Sequence, residues 1–360
     1  MPRGRLTTSQ LIEKHRALDR IINVRRDHFL SDWNGGHPLL KRFLGPELLN
    51  IQSDASSCSR YIFFDEEHSV IEAIQRLHLI REALQLSPEN ILAGPGSSSF
   101  LTAMSHWLRQ QGYAEVHYLP PLYYTFHFFL EALNIIPIAA SKKHVFETGA
   151  TLDLPPRQTV LILSDPVWFA GRRVPLEKIN EIAEWQKLTK SLVLIDGSFQ
   201  YMQWDGSRQE YTSLLDPELT FRLICPTKSL GVPFFRFAYL LHPSWAHDDF
   251  VFIYESVVGG ATASDRAFAH RALEILSSDE SKHALTEFFQ ATYARLIESD
   301  LIRTRVVPEC GYLVFAIPMV QLPGQIVMDQ EYFELTGYPD HVRINLMAAQ
   351  QIYFEKRPQT

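Results

Sequence analysis

Short apolar runs rich in β-branched residues recur along this chain and alternate with longer stretches of helical periodicity. ENILAG, AEVHYL, QTVLILS, SLVLIDG, FRLIC and FAYLLH are near-continuous in apolar residues, as strands covered on both faces are. SSSFLTAMSHWLRQQG, YTFHFFLEAL and LEKINEIAEWQKLTK lie between them at helical length. Strands separated by helices of that length join through crossovers into a mainly parallel sheet. The expectation is an α/β fold, a three-layer sandwich around a mainly parallel central sheet spanning residues 50–245. Beyond it the pattern changes to one or two helices over 265–298 and short strands in VVPECGYLVFAIP and HVRINLMA. With a helix over 8–26, these predict a smaller α+β domain over 246–360, joined by the segment 1–49.

Composition narrows the function classes. Apolar residues are 46% and charged residues 21% of 360, the balance of a soluble globular protein. A net charge of -7 without a dense Lys/Arg run argues against nucleic acid as a partner. Cys58, Cys225 and Cys310 are widely spaced, which suits a reducing compartment and writes neither a disulfide framework nor a metal site. The start, MPRGRLTTSQ, lacks the apolar core of a secretory signal, and the apolar stretch 122–140 carries His127, Glu131, Asn134 and Pro137. Ionisable groups are costly at membrane depth, so that stretch reads as a buried helix followed by a strand. A cytoplasmic protein with no membrane partner is expected.

In open α/β sheets a ligand sits beyond the carboxyl ends of the strands, so the residues just past each strand matter most. ENILAG leads into Gly94-Pro95-Gly96-Ser97-Ser98-Ser99 and a helix, where glycines admit an anion to free backbone N–H groups. An ordinary serine-capped helix after a glycine turn would read the same. Tyr123, after AEVHYL, could stack on a flat heterocycle or simply pack. Asp165 and Asp196 end QTVLILS and SLVLI; a carboxylate there needs a cationic partner unless it caps the next helix. Lys228 comes after FRLIC as an amine suited to trapping a carbonyl, and Arg236 lies in FFRFAYLL, where burial would call for an anion such as phosphate. Solvated positions remain the plain alternative for both.

The ordered set Gly96-Ser97-Ser98, Tyr123, Asp196, Lys228, Arg236 and Arg343 resembles the fold-type-I pyridoxal-5'-phosphate (PLP) enzymes of aminotransferase class I/II, over most of the chain. The resemblance implies a PLP-dependent aminotransferase acting on an α-amino acid through a Lys228 Schiff base. Asp196 would pair with the pyridinium nitrogen, Tyr123 stack on the ring, and Gly96, Ser97, Ser98 and Arg236 hold the phosphate. Arg343 would grip the substrate carboxylate bidentately. Asn34 and Gly36 match a glycine segment that closes over substrate, Tyr61 a residue reaching the phosphate across a homodimer with shared sites, and Thr262 or Ser264 a second such donor. Arg172 and Arg173 fall near the expected rim, where they could draw an acidic side chain but read more simply as a solvated pair.

Two positions depart from the family. Matching Asp165-Pro166 and Gly171 to its Asn-Pro-(Thr)-Gly turn puts Trp168 where an asparagine would bond the cofactor's phenolic O3', and Phe199 replaces a tyrosine that also bonds it. Gln200 or Tyr124 could take over that role. The departures, with the aromatic surroundings, raise an alternative chemistry on the same fold: elimination, replacement or cyclisation of an amino acid, as in enzymes resembling capreomycidine synthase. Without the two donors the phenolate should be more basic and hold the Schiff-base proton to higher pH. The resting protein should therefore keep the visible-absorbing protonated form from neutral into mildly alkaline pH, and an absorption titration in which the neutral form already dominates near neutrality would contradict this.

Overall fold

The computed structural model describes residues 6–25, 30–31, 43–45, 68–232, 234–258, 261–320 and 325–355. The apolar runs form strands β1 (Ile91–Gly94), β2 (Glu115–Tyr118), β3 (Ile136–Ala139), β4 (Val160–Ser164), β5 (Leu192–Gly197), β6 (Thr220–Ile224) and β7 (Ala238–Leu241). They build one seven-stranded sheet in the order β1-β7-β6-β5-β4-β2-β3. The ladders joining β3, β2, β4, β5 and β6 are parallel, while β7 pairs antiparallel with both β6 and β1. All strands but β7 therefore point their carboxyl ends to the same edge.

Alternate residues of one strand enter different cores, which is why the strands read as unbroken apolar runs. Leu192 and Leu194 pack with Phe100, Met104 and Trp107 of the helix Ser97–Gln110, whereas Val193 and Ile195 pack with Ile179, Ile182 and Trp185 of the helix Leu176–Thr189. Helix layers cover both faces, so the expected three-layer α/β architecture is found. β3 is the exception, an edge strand with Ile136 exposed.

The C-terminal region contributes the helices Ala263–Ser277 and Asp279–Glu298 and a four-stranded antiparallel sheet, in the order β10-β11-β9-β8. Its strands are β8 (Ile302–Arg303), β9 (Leu313–Pro318), β10 (Met328–Asp329) and β11 (Val342–Asn345). The N-terminal helix, Thr8–Arg25, bridges the two parts of the chain. His15 stacks on Tyr124 of the helix Tyr124–Ala132, and Lys14 binds Asp329 and Glu331 at 3.1 and 2.8 Å. Among the described residues no helix is long and apolar enough to cross a membrane.

One contact clamps the helix His68–Glu82 to the sheet. Arg222, on β6, grips Glu82 in a two-pronged pair at 2.8 and 2.7 Å, and Tyr201 adds its hydroxyl to the same carboxylate at 2.7 Å. Burial opposes the charged form of Glu82, but Arg222 and His78 outweigh it and hold the carboxyl below its usual range. A carboxyl depressed on folding adds stability that is complete above its unfolded pKa and fades as pH falls toward the folded value. Removing one partner of such a pair strands the other charge, at about 3–5 kcal/mol. Glu82→Ala and Arg222→Met should each lose about that much in urea unfolding near neutral pH, with a smaller gap between Glu82→Ala and wild type in acid; losses below about 1 kcal/mol would show the clamp to be incidental.

Candidate active site

The co-directional strands bring the chemically distinctive residues to one edge of the sheet, around a cavity of about 230 Å³. Ser97, Ser98, Tyr123, Trp168, Asp196, Phe199, Lys228, Arg236 and Arg343 all line it, drawn from stretches far apart in sequence.

Gly96 lies just past β1 with φ +82, a conformation that favours glycine, and precedes the first turn of the helix Ser97–Gln110. A Cβ at Gly96 would stand 2.5 Å from the Arg236 Nη2, so the missing side chain is what lets the guanidinium lie against this backbone. The register explains the meeting. Gly94 at the end of β1 pairs with Ala238 at the start of antiparallel β7, which sets residues 96 and 236 side by side beyond the sheet. Arg236 precedes β7 and is exposed, so the expectation that it is buried within a strand is corrected. Its amide donates to Asp265 Oδ1 at 2.7 Å. Free helix N–H groups, two serine hydroxyls and a guanidinium together suit a phosphate. Ser99 is not one of the donors; its hydroxyl bonds the Gly96 carbonyl at 2.7 Å.

Asp196 ends β5, between Ser164 of β4 and Leu223 of β6. Its Oδ1 accepts from the Ser198 amide at 3.1 Å and the Ser198 hydroxyl at 2.5 Å. Burial nevertheless raises its carboxyl above the ordinary range, against the opposing pull of Ser198 and Lys228. A carboxylate so placed would gain from one more cationic donor, which a protonated heterocycle provides. Lys228 sits in the helical turn Pro226–Ser229 just after β6, and the Tyr312 hydroxyl donates to its carbonyl at 3.0 Å. Tyr123 lies beside Trp168 with ring centroids 6.3 Å apart at 89°, and burial raises its phenol pKa.

Arg343, on β11, is almost wholly buried and donates to the Ser31 carbonyl through Nε, at 3.1 Å, and Nη2. Its guanidinium carbon lies 5.4 Å from the Trp168 ring centroid. His15, which no sequence pattern marks, also lines the cavity with a buried Nδ1 that no described residue bonds. Burial, with Arg343 and Lys14 adding to it, pushes its pKa down to about 3, so the ring is neutral. Nothing local could have flagged it: it lies on a helix distant in sequence. Ser198 was missed as well, although it had a local signal: a hydroxyl two residues after an aspartate commonly bonds it.

Several sequence candidates lie elsewhere. Asp165 is buried away from the cavity, with Oδ1 accepting from the Val174 amide at 2.9 Å, so it braces the loop that carries Trp168. Gln200 is spent on Thr212 and Arg222, at 3.0 and 3.2 Å. Arg173 is no solvated rim residue; it is buried between Glu210 and the Tyr211 ring, while Arg172 turns to the Val307 carbonyl and Glu309. Thr262 caps the helix Ala263–Ser277. Asn34, Gly36 and Tyr61 lie outside the described residues.

No protein-family profile and no curated sequence matches the chain. Solved structures do. Substrate-bound BacF from Bacillus subtilis superposes with a TM-score of 0.73 at 16% identity, over 93% of this chain and 91% of that one. YbdL from Escherichia coli, identified with a methionine aminotransferase function, gives 0.72 at 14% identity and 98% coverage of both chains. A PLP-bound protein from Clostridium difficile gives 0.67 at 15% identity, over 89% and 87%. The fold is that of the aminotransferases. Within that fold the residues present suit PLP: an anion cradle that a Cβ at Gly96 would fill, a tyrosine ring, a desolvated carboxylate and a lysine. Trp168 lines the cavity too, and its buried Nε1 has no partner among the described residues.

Asp165 has a pH consequence. Burial, followed by Glu210, raises its carboxyl to about 7. The folded protein then holds this proton longer than the unfolded chain, so stability falls as pH rises from about 4 through about 7. Asp165→Asn keeps the acceptor for Val174 and removes the penalty, by on the order of 1–4 kcal/mol above that window. Urea unfolding at several pH values should show wild type losing ground to the variant as pH rises; parallel curves would remove the assignment.

Proposed function

We propose that this protein is a PLP-dependent aminotransferase acting on an α-amino acid. The observation that carries the reading is the convergence of Lys228, Asp196, Tyr123 and the Gly96–Arg236 cradle on one cavity. When bound, PLP supplies an electron sink that stabilises negative charge at the substrate α-carbon. The rest falls to the chain. Ser97, Ser98, the Gly96 backbone and Arg236 hold the phosphate, and Tyr123 stacks on the ring. Asp196 keeps the ring nitrogen protonated, oriented by Ser198. Arg343 binds the substrate carboxylate, its approach fixed by Ser31 and Trp168. Lys228 provides the anchoring amine and moves a proton at the α-carbon. The same reading includes a homodimer, in which Tyr61 of one protomer serves its partner's site, and a cytoplasmic location.

Borohydride treatment of the protein incubated with PLP should fix the cofactor's mass on the peptide containing Lys228. Incubation with an amino-acid donor should yield the pyridoxamine form, and Lys228→Ala should slow that conversion by at least about 10²–10⁴-fold. Labelling of some other lysine, or conversion undiminished in the variant, would end the assignment; a donor consumed with return of the aldehyde form would point to elimination instead.

A further inference from the structure

Resting on that reading, we propose that the substrate is an α-amino acid with an uncharged, ring-bearing side chain, received against a wall formed by His15, Tyr124 and Trp168. All three rings line the cavity. His15 stacks face to face on Tyr124 with centroids 3.8 Å apart and planes 10° from parallel. Tyr332 meets the outer part of His15 edge-on at 5.0 Å, which fixes the imidazole. Trp168 stands beside Arg343, so a substrate whose carboxylate is held there has its side chain within reach of both rings. Aromatic side chains are received by such walls through offset and edge-on contacts that favour a ring over an alkyl chain.

Charge selects in the same direction. Among the described residues the cations lining the cavity are Lys228, Arg236 and Arg343, and the proposed function assigns each of them, to the anchoring amine, the phosphate and the α-carboxylate. His15 is neutral, and Arg172 and Arg173 are held outside by Glu309 and Glu210. A side-chain carboxylate therefore meets no further cation among the described residues. Asp196 is the carboxylate that the described residues place in the wall and is assigned to the ring nitrogen, so a lysine-like side chain gains no counter-ion there either. Either charge would be desolvated without compensation.

The test uses full-length protein loaded with PLP. Phenylalanine, tyrosine, alanine, aspartate, glutamate and lysine are compared as donors by formation of the pyridoxamine form. The aromatic donors should exceed the acidic and basic ones in kcat/KM by at least about tenfold. His15→Arg and His15→Lys should each shift the phenylalanine-to-glutamate ratio toward glutamate by about tenfold or more, chiefly through KM. Cofactor absorbance and thermal melting report whether each variant is folded and loaded, and the wild-type ranking decides the substrate class on its own. Turnover led by glutamate, aspartate or lysine, or equal turnover of all donors, overturns this inference and leaves the aminotransferase reading intact. A ratio unchanged in a loaded variant removes His15 from the selecting wall. No cofactor absorbance and no product from any donor would sink the parent reading and this one together.

Discussion

A half-buried carboxylate organises the cavity edge of this sheet. Asp196 ends a strand whose neighbours on both sides run in the same direction, and whose faces are both covered by helices. Water cannot reach it freely, and two bonds from Ser198 do not offset the loss. Positive charge is therefore favoured beside it, and the next strand supplies Lys228 just past its end. The single reversed strand, β7, then starts where the others finish, which is how Arg236 comes to Gly96.

Not every desolvated acid marks a site. Asp165 and Glu210 are raised by burial as well, yet neither lines the cavity. They belong to a second charged system, in which Arg173 pairs with Glu210 and Arg222 with Glu82, and whose field also acts on Asp165. In that system Arg222 overcomes the burial penalty of Glu82, and the carboxyl ends below its ordinary range. What separates Asp196 is the combination of an uncompensated shift, a cavity and a lysine.

The two systems differ in legibility for the same reason. Lys228, Asp196 and the glycine-serine turn sit at strand ends, positions that a linear pattern exposes because the apolar run stops there. Arg222 lies in the middle of FRLIC and Glu82 at the end of an unremarked helix, and their pairing joins residues 140 apart. Such pairs leave no local trace. Arg236 shows the opposite error: its neighbours are apolar, so it read as buried, but the strand begins only at Ala238 and the guanidinium stays outside. The strands and the two C-terminal helices follow the periodicity closely because covering both sheet faces demands it.

His15 carries the argument about selectivity one step further. Its helix touches the large sheet's helices through Tyr124 and the smaller sheet's region through Tyr332 and Asp329, so the imidazole is fixed from two sides. Arg343 reaches the same cavity from β11, tied to Ser31 near the start of the chain. The Gly96–Arg236 turn and Lys228 are thus set by the large sheet, and the aromatic lining beside them joins Tyr124 and Trp168 of that same region to His15 of the N-terminal helix. On the proposed reading, substitutions at His15 retune selectivity without touching the Gly96–Arg236 turn or Lys228, because the helix Thr8–Arg25 carries neither.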